Sequence, residues 1–236
     1  MPINELSNSY NRSRRINKNP CKVLDAPALT DDFYLNLIDW SNENQLAVGL
    51  GNCIYLWNAV TSKVTRLCEL SNDLITSVCW SNNGPTLSIG CNKGDVLVWD
   101  VNYEKQIRKL DGHEIRVGAM SWSKKFLSTG SRDKTILQRD IRSPKSYVMK
   151  LSEHAQEICG IKWSGDEQYL ASGGNDNKVI VWNQNGQVIN KFSDHKAAVK
   201  AIAWSPHQHG LLATGGGTAD RMIKMRNIFD GEIICS

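Results

Sequence analysis

Hydrophobic and polar residues alternate with a period of two in five short stretches of the chain. Each stretch ends in a tryptophan followed by serine, as in Ile75–Trp80 and Val199–Trp204. Alternation over this length is typical of a strand with two different faces. Turn-forming residues such as Asn82-Asn83-Gly84 follow each tryptophan. We therefore expect the chain to reverse after each of these strands.

The tryptophans recur at a nearly constant spacing. The first series has intervals of 40 to 42 residues and consists of Trp40, Trp80, Trp122, Trp163 and Trp204. A second series ends apolar runs and consists of Trp57, Trp99 and Trp182. We place Gln138 and Met225 at the second-series position of the third and fifth units.

Each unit contains two further short strands, one ending in glycine between the two tryptophan series and a more polar one at the end. Four short strands in every 40 to 42 residues indicate a β-propeller blade, which buries its faces only by stacking on neighbours. The fold class is therefore all-β. We predict about five four-stranded blades within residues 21–236, starting near residues 35, 75, 117, 158 and 199.

A histidine, a hydroxyl residue and an aspartate recur at the same phase in the last three units. The sets are His113, Thr129 and Asp133; His154, Ser172, Asp176 and Trp182; and His195, Thr214 and Asp220. One alternative is a hydrolase that uses His154, Ser172 and Asp176 as a triad. An active site is needed only once, however, whereas buried polar groups need partners in every repeat. The repetition favours a structural network in a protein that is not an enzyme.

Composition narrows the class of protein. The 236 residues are 41% hydrophobic and 22% charged, and no apolar run approaches the roughly 20 residues that cross a bilayer. Residues 1–20 form a polar, basic leader without the apolar core of a secretory signal, so we expect a cytosolic or nuclear protein. The leader is either a nuclear import signal, a contact for an acidic partner or a solvated segment.

Other chemical signals are weak. The seven cysteines show no Cys-x-x-Cys spacing, which indicates buried or half-buried reduced thiols and no metal site. The three glycines at 215–217 lack the Lys-Ser/Thr of a phosphate-binding loop, so no cofactor is expected. No basic stripe accompanies exposed aromatic residues, which argues against nucleic-acid binding.

Longer runs carry a family resemblance. Residues 22–27 and 31–37, together with 172–177 and 215–221, resemble the Fizzy and Fizzy-related activators of the anaphase-promoting complex, which are WD-repeat proteins. Residues 136–142 and 205–210 are closer to the Fizzy-related branch. The resemblance extends over about residues 14–235.

The resemblance implies a substrate-recognition subunit that works in the nucleus and cytoplasm. Its partners would be subunits of the anaphase-promoting complex and proteins that carry KEN-box or destruction-box degrons, with no nucleic acid or membrane. The family's KEN pocket maps onto Asp32, Asn175, Asn177 and Thr218, and its contact for the destruction-box arginine maps onto Asp25. A carboxylate can pair with lysine, and amides with the peptide. From the residues alone, the asparagines also fit ordinary turn chemistry.

The chain also departs from the family pattern. Seven blades are expected and about five are present, and neither the C box nor the C-terminal Ile-Arg tail is found, so we expect a truncated, open arc. An open arc leaves a strand edge and an apolar face exposed. It would also leave Asp25 with half of a destruction-box groove, which in the family lies between the first and last blades. The alternative function is a non-catalytic WD-repeat scaffold for another protein complex.

Overall fold

The computed structural model describes residues 16–235, and every regular element among them is a β-strand. The first sheet comprises β1 (Ile38–Trp40), β2 (Gln45–Leu50), β3 (Cys53–Asn58) and β4 (Val64–Glu69). The second comprises β5 (Ile75–Trp80), β6 (Thr86–Cys91), β7 (Val96–Asp100) and β8 (Lys105–Leu110). The third comprises β9 (Val117–Trp122), β10 (Leu127–Ser131), β11 (Ile136–Arg139) and β12 (Met149–Leu151). The fourth comprises β13 (Ile158–Trp163), β14 (Tyr169–Gly174), β15 (Val179–Asn183) and β16 (Val188–Phe192). The fifth comprises β17 (Val199–Trp204), β18 (Leu211–Gly216), β19 (Ile223–Asn227) and β20 (Ile233–Cys235).

The strands of each sheet pair antiparallel in chain order, which confirms the predicted five four-stranded units. The first strand of each sheet lines a central cavity and is called the inner strand. The inner strands β5, β9, β13 and β17 begin at residues 75, 117, 158 and 199. The inner strand β1 begins at Ile38, three residues after the start expected from the alternation. Most of the leader, residues 1–15, lies outside the described residues.

Antiparallel order creates two rims. The upper rim consists of the starts of the inner strands and the turns between second and third strands, at residues 51–52, 92–95, 132–135, 175–178 and 217–222. The lower rim holds the first turns of the sheets, at residues 41–44, 81–85, 123–126, 164–168 and 205–210. It also holds the third turns, at residues 59–63, 101–104, 140–148, 184–187 and 228–232.

Tryptophans of the first series join each sheet to the one before it. The indole Nε1 of Trp80 donates to Asp39 O at 3.2 Å, and that of Trp204 donates to Lys162 O at 2.9 Å. Trp122 and Trp163 likewise donate to hydroxyls of the preceding sheet, each at 3.1 Å. Trp40, in the first sheet, is 51% exposed.

The core lies between neighbouring sheets. In β15, Ile180 packs in a cluster with the third sheet, whereas Val179 and Val181 pack with residues of the fifth. Both faces of β15 are therefore buried, which explains its continuous apolar sequence. In β19 only alternate residues are buried, and Ile223 is 70% exposed. Among the described strands, close packing joins each sheet to the next along the chain but does not join the fifth sheet to the first, so the sheets form the expected open arc.

In the third and fifth sheets, an arginine occupies the position that a second-series tryptophan occupies in the other sheets. The register pairs Leu170 with Trp182, Leu127 with Arg139, and Leu212 with Arg226. The placement of Gln138 and Met225 at this position was therefore wrong by one residue. Without a tryptophan as a marker, the alternation in these two strands does not determine which residue faces the preceding strand.

Candidate functional site

The upper rim carries the four residues predicted for KEN recognition. Asn175 and Asn177 lie in the β14–β15 turn, Thr218 lies in the β18–β19 turn, and Asp32 precedes β1. Asn177 has a left-handed backbone with φ of 64°, a conformation that asparagine tolerates well. Thr218 is exposed, whereas Asp32, Asn175 and Asn177 are half-buried.

Residues 32–37, here called the crossing segment, reach across the upper end of a central cavity. The cavity has a volume of about 710 Å³ and is lined by the inner strands of all five sheets. Asn36 donates through Nδ2 to Gly118 O of β9 at 2.5 Å. Lys200 of β17 donates through Nζ to Phe33 O at 2.6 Å and lies 5.4 Å from the Phe33 ring. The segment thus links the first sheet to the third and fifth.

A buried ion pair anchors the crossing segment. Arg116 binds Glu157 through two bonds, from Nε to Oε1 at 2.7 Å and from Nη2 to Oε2 at 2.9 Å. Its third nitrogen, Nη1, lies 3.5 Å from Asp32 Oδ2. The guanidinium stacks over the Tyr34 ring at 4.8 Å, and Tyr34 Oη donates to Asn175 Oδ1 at 2.9 Å. Asp32 and Asn175 are therefore joined through Arg116 and Tyr34.

The charges of this group follow from its contacts. Burial, with the nearby Cys159 and Glu157, raises the pKa of Tyr34, so the phenol remains protonated and donates at neutral pH. The hydrogen bonds that Arg116 donates to Glu157 raise the pKa of Arg116, so the guanidinium keeps its charge. Desolvation lowers the pKa of Lys200.

The other two predicted KEN residues are less closely tied to the group. Within residues 16–235 no hydrogen bond joins the side chain of Asn177 or Thr218 to Asp32 or Asn175. Asn175 uses its amide nitrogen to donate to Gln156 Oε1 at 2.6 Å. The upper rim therefore presents one carboxylate, two amides and one hydroxyl. The carboxylate and one of the amides contact the stacked Arg116 and Tyr34 side chains.

Asp25 lies in a different place. Its side chain is exposed in the segment that leads to the first sheet. Nearby in sequence, Lys22 stacks on the Trp57 ring at 5.0 Å and bonds Ser62, which holds this segment against the first sheet. No hydrogen bond in the described part of the chain joins Asp25 to the Asp32 group.

Sequence reasoning missed Arg116, Glu157 and the role of Tyr34. Arg116 lies three residues after His113, and Glu157 lies three residues after His154. Opposite charges at the same phase of consecutive repeats face each other across a blade junction, so this spacing was the available signal.

The histidine sets come together in the third, fourth and fifth sheets. His113 contacts Asp133 Oδ2 at 2.8 Å and Thr129 Oγ1 at 2.9 Å. The other two sets repeat this arrangement: His154 with Asp176 at 3.1 Å and Ser172 at 2.9 Å, and His195 with Asp220 at 2.5 Å and Thr214 at 2.8 Å. In each, the backbone N–H after the histidine donates to the same aspartate.

The aspartates of these sets stay ionised. Burial alone would raise the pKa of Asp176, but hydrogen bonds from His154 and the Ala155 N–H prevail and lower it. The same balance lowers the pKa of Asp133. Ser172 has no exposed surface, and its Oγ accepts a bond from Trp182 Nε1 at 2.9 Å.

The cysteines are all free thiols. Burial raises the pKa of Cys79, Cys91 and Cys159 to about 12. Cys21 and Cys235 are exposed, contrary to the expectation of buried or half-buried thiols, because Cys21 lies in the segment before the first sheet and Cys235 lies in β20, an exposed outer strand. Residues 16–235 contain no group of three or more side chains placed to hold a metal ion.

No helix in the described part of the chain is long and apolar enough to span a membrane.

Comparisons with known proteins identify relatives over nearly the full length of this chain. The family model of the CDC20/Fizzy WD40 domain matches residues 24–236. Protein FIZZY-RELATED 1 of Arabidopsis thaliana is 61% identical over 216 residues, covering 91% of this chain and 46% of that protein. The B-type cell cycle switch protein ccs52A of Medicago truncatula is 60% identical with the same coverage. The chain thus spans about half the length of these relatives.

Two further similarities concern larger assemblies. A protein of Dictyostelium discoideum named anaphase-promoting complex subunit cdh1 is 46% identical over 266 residues, covering 98% of this chain and 35% of that protein. A chain in the crystal structure of the mitotic checkpoint complex superposes with a TM-score of 0.91 and 42% identity, covering 94% of this chain and 71% of that one. These matches confirm the predicted resemblance and, through the plant relatives, its closeness to the Fizzy-related branch.

Proposed function

Because the chain belongs to the CDC20/Fizzy family of WD40 proteins, we propose that it forms the degron-recognition surface of an activator of the anaphase-promoting complex. Its partners in this proposal are subunits of that complex and degron-bearing substrates. The name of the Dictyostelium relative, an anaphase-promoting complex subunit, supports the first class of partner. The observation that carries the proposal is the grouping of Asp32 and Asn175 on the upper rim.

The geometry suits a peptide lysine flanked by polar residues. Asp32 Oδ2 lies 3.5 Å from Arg116, whose charge is already matched by two short bonds to Glu157. Asp32 can therefore pair with a peptide ammonium without leaving Arg116 unpaired. Asn175 and Asn177, in the β14–β15 turn, supply donors and acceptors for the glutamate and backbone of a KEN peptide. Thr218 adds an exposed hydroxyl.

The destruction box uses another part of the surface in this proposal. Asp25 is an exposed carboxylate beside the first sheet, where it can accept a bidentate bond from the degron arginine. No hydrogen bond in the described part of the chain joins Asp25 to the Asp32 group, which supports two separate degron contacts.

We assign the histidine sets to blade stability rather than to catalysis. Three copies share one geometry, and the Ser172 hydroxyl is fully buried. A buried hydroxyl that accepts from an indole is satisfied as a structural group. It offers no surface at which a substrate carbonyl can approach.

A binding experiment tests the KEN assignment. A fluorescent KEN peptide is titrated against the whole chain, and against a variant carrying Asn175→Ala and Asn177→Ala. We expect at least a tenfold loss of affinity in the variant, because each alanine removes both bonding groups of an amide. A peptide with lysine replaced by alanine should show a comparable loss.

Asn185→Ala is the matched control, since Asn185 is an exposed asparagine in the β15–β16 turn of the lower rim. Equal affinities of the unmodified chain and the upper-rim variant would refute the pocket. Absence of KEN binding by the unmodified chain would favour the alternative of a scaffold for another complex.

A further inference from the structure

A cluster of four aromatic rings lies on the lower rim, opposite the degron surface. We call it the lower-rim patch; it consists of Tyr169, Trp204, His209 and Phe229. Tyr169 stacks on Trp204 at 6.4 Å and lies 5.9 Å from His209 and 5.8 Å from Phe229. His209 stacks on Phe229 at 5.4 Å with an interplanar angle of 26°. Phe229 is 52% exposed and the His209 side chain 58%.

The patch is held in place by the turns that carry it. Ile228 N donates to Gly210 O at 2.9 Å, which fastens the third turn of the fifth sheet to its first. Gly210 has a φ of 74°, and a side chain here would collide with the Phe229 ring. Ser205 Oγ accepts two backbone N–H groups of its own turn. The rings are thus presented in one arrangement before any partner arrives, which lowers the entropy cost of binding.

The fold does not account for this cluster. Features of the scaffold recur from sheet to sheet, as the histidine sets do. Among the described residues, groups of three or more touching rings occur only here. Histidine occurs in no other first turn of the described sheets.

Elsewhere in the described part of the chain, four aromatic rings each carry a cation. Lys22 lies over Trp57, Arg116 over Tyr34, Lys200 over Phe33 and Arg226 over Phe192, at 4.3 to 5.4 Å. No cation within residues 16–235 lies over a ring of the lower-rim patch. The exposed ring faces of the patch can therefore accept a cation from a partner.

The charged residues of the turns that carry the patch are all acidic. The three turns that carry it, residues 164–168, 205–210 and 228–232, contain Asp166, Glu167, Asp230 and Glu232 and no lysine or arginine. Asp166 Oδ2 lies 2.9 Å from His209 Nδ1, and its side chain is 36% exposed. A carboxylate thus lies at the edge of the stacked rings.

We propose that the lower-rim patch binds an arginine side chain of a partner polypeptide. A guanidinium is planar, so it stacks on the exposed Phe229 and His209 rings as an ammonium cannot, and its paired N–H groups match the Asp166 carboxylate. The surrounding acidic turns attract such a segment and repel nucleic acid.

Fluorine NMR tests this directly on the whole chain. The sequence has four phenylalanines, so incorporation of 4-fluorophenylalanine gives four signals, of which Phe229→Leu identifies one. The probe is N-acetyl-arginine amide, and the matched probe is N-acetyl-citrulline amide, which has nearly the same shape without the charge. We expect arginine amide to move the Phe229 signal to saturation and citrulline amide to bind at least tenfold more weakly.

Two variants localise the effect. Asp166→Asn should weaken arginine-amide binding at least tenfold, whereas Asp73→Asn, the same charge change on the upper rim, should leave it unchanged. Equal responses to the two probes, equal movement of all four signals, no movement of the Phe229 signal, or equal losses in the two variants would each overturn the proposal.

Discussion

The fourth and fifth sheets fill the same position of their third strands with different chemistry. In the fourth sheet, Trp182 donates a neutral N–H to Ser172 at 2.9 Å and so completes the histidine set. In the fifth, Arg226 is buried to the same degree and binds both oxygens of Asp194, at 2.9 and 3.0 Å, while stacking on Phe192. The neutral Trp182 needs only a hydroxyl partner, whereas the charge of Arg226 is matched by a carboxylate from the loop that precedes the fifth sheet.

The third sheet shows an intermediate solution. Arg139 donates through Nε to Thr129 at 3.0 Å and through Nη1 to the carbonyls of Asp111 and Ser146. Its Nη2 has no partner, and no carboxylate pairs with it among the described residues. Burial therefore lowers the pKa of Arg139 to about 10. The histidine sets remain the same in all three sheets, so they do not depend on the tryptophan.

The largest expected difference between the sheets comes from Asp194→Ala. This change leaves the buried cations Arg226 and Lys224 without their countercharge. We expect the free energy of unfolding to fall by about 3–5 kcal/mol, measured by urea denaturation. Asp230→Ala, at an exposed position of the same sheet, is the control and should change little. Equal losses in the two variants would show that Asp194 acts only as a surface charge.

A smaller loss is expected from Ser172→Ala in the fourth sheet. The change removes the partner of both Trp182 Nε1 and His154 Nε2 in a fully buried location. The cost should be about 1–3 kcal/mol in the same measurement, because buried polar groups lose their bonds. Ser71→Ala, at an exposed serine, provides the comparison. An unchanged stability in Ser172→Ala would contradict the structural role of the set.

Arg139→Met should have the smallest effect at neutral pH. The substitution gives up three hydrogen bonds but also removes a buried cation that has no carboxylate partner. The two contributions oppose each other, so we expect the free energy of unfolding to change by no more than about 1 kcal/mol. A loss comparable to that of Asp194→Ala would remove the distinction between a paired and an unpaired arginine.

The histidine set of the fourth sheet should also make the free energy of unfolding depend on pH in the acid range. The folded-state pKa of Asp176 is lowered, so its contribution to stability is complete above its unfolded pKa of about 3.9 and is lost as the pH falls below that value. Asp176→Asn should therefore flatten the decline of stability between neutral pH and acid. Urea denaturation at several pH values measures this, and an unchanged slope would show that His154 does not stabilise the carboxylate.

The sequence was sufficient for the fold because its signals are local and repeat. Each Trp-Ser pair ends an inner strand, and the spacing of Trp80, Trp122 and Trp163 alone predicts the sheets that contain them. Arg139 and Arg226 were missed because their identity depends on cross-strand register, which only pairing with Leu127 and Leu212 establishes.

The candidate site was only partly predictable. The positions of Asp32 and Asn175 came from a family resemblance, and nothing local indicates that they meet. Their link through Tyr34 joins residues 141 positions apart in the chain and depends on how the crossing segment passes over the cavity. Contacts of this kind follow from tertiary packing and leave no periodic trace.

The tryptophan bonds between sheets have a direction, and that direction matters during synthesis. The indoles of four first-series tryptophans each donate to the sheet that precedes them in the chain: Trp80, Trp122, Trp163 and Trp204. When a new sheet leaves the ribosome, the acceptor for its tryptophan is already in place. Each new sheet can therefore dock on its predecessor while translation continues, before the sheet that covers its other face has been made.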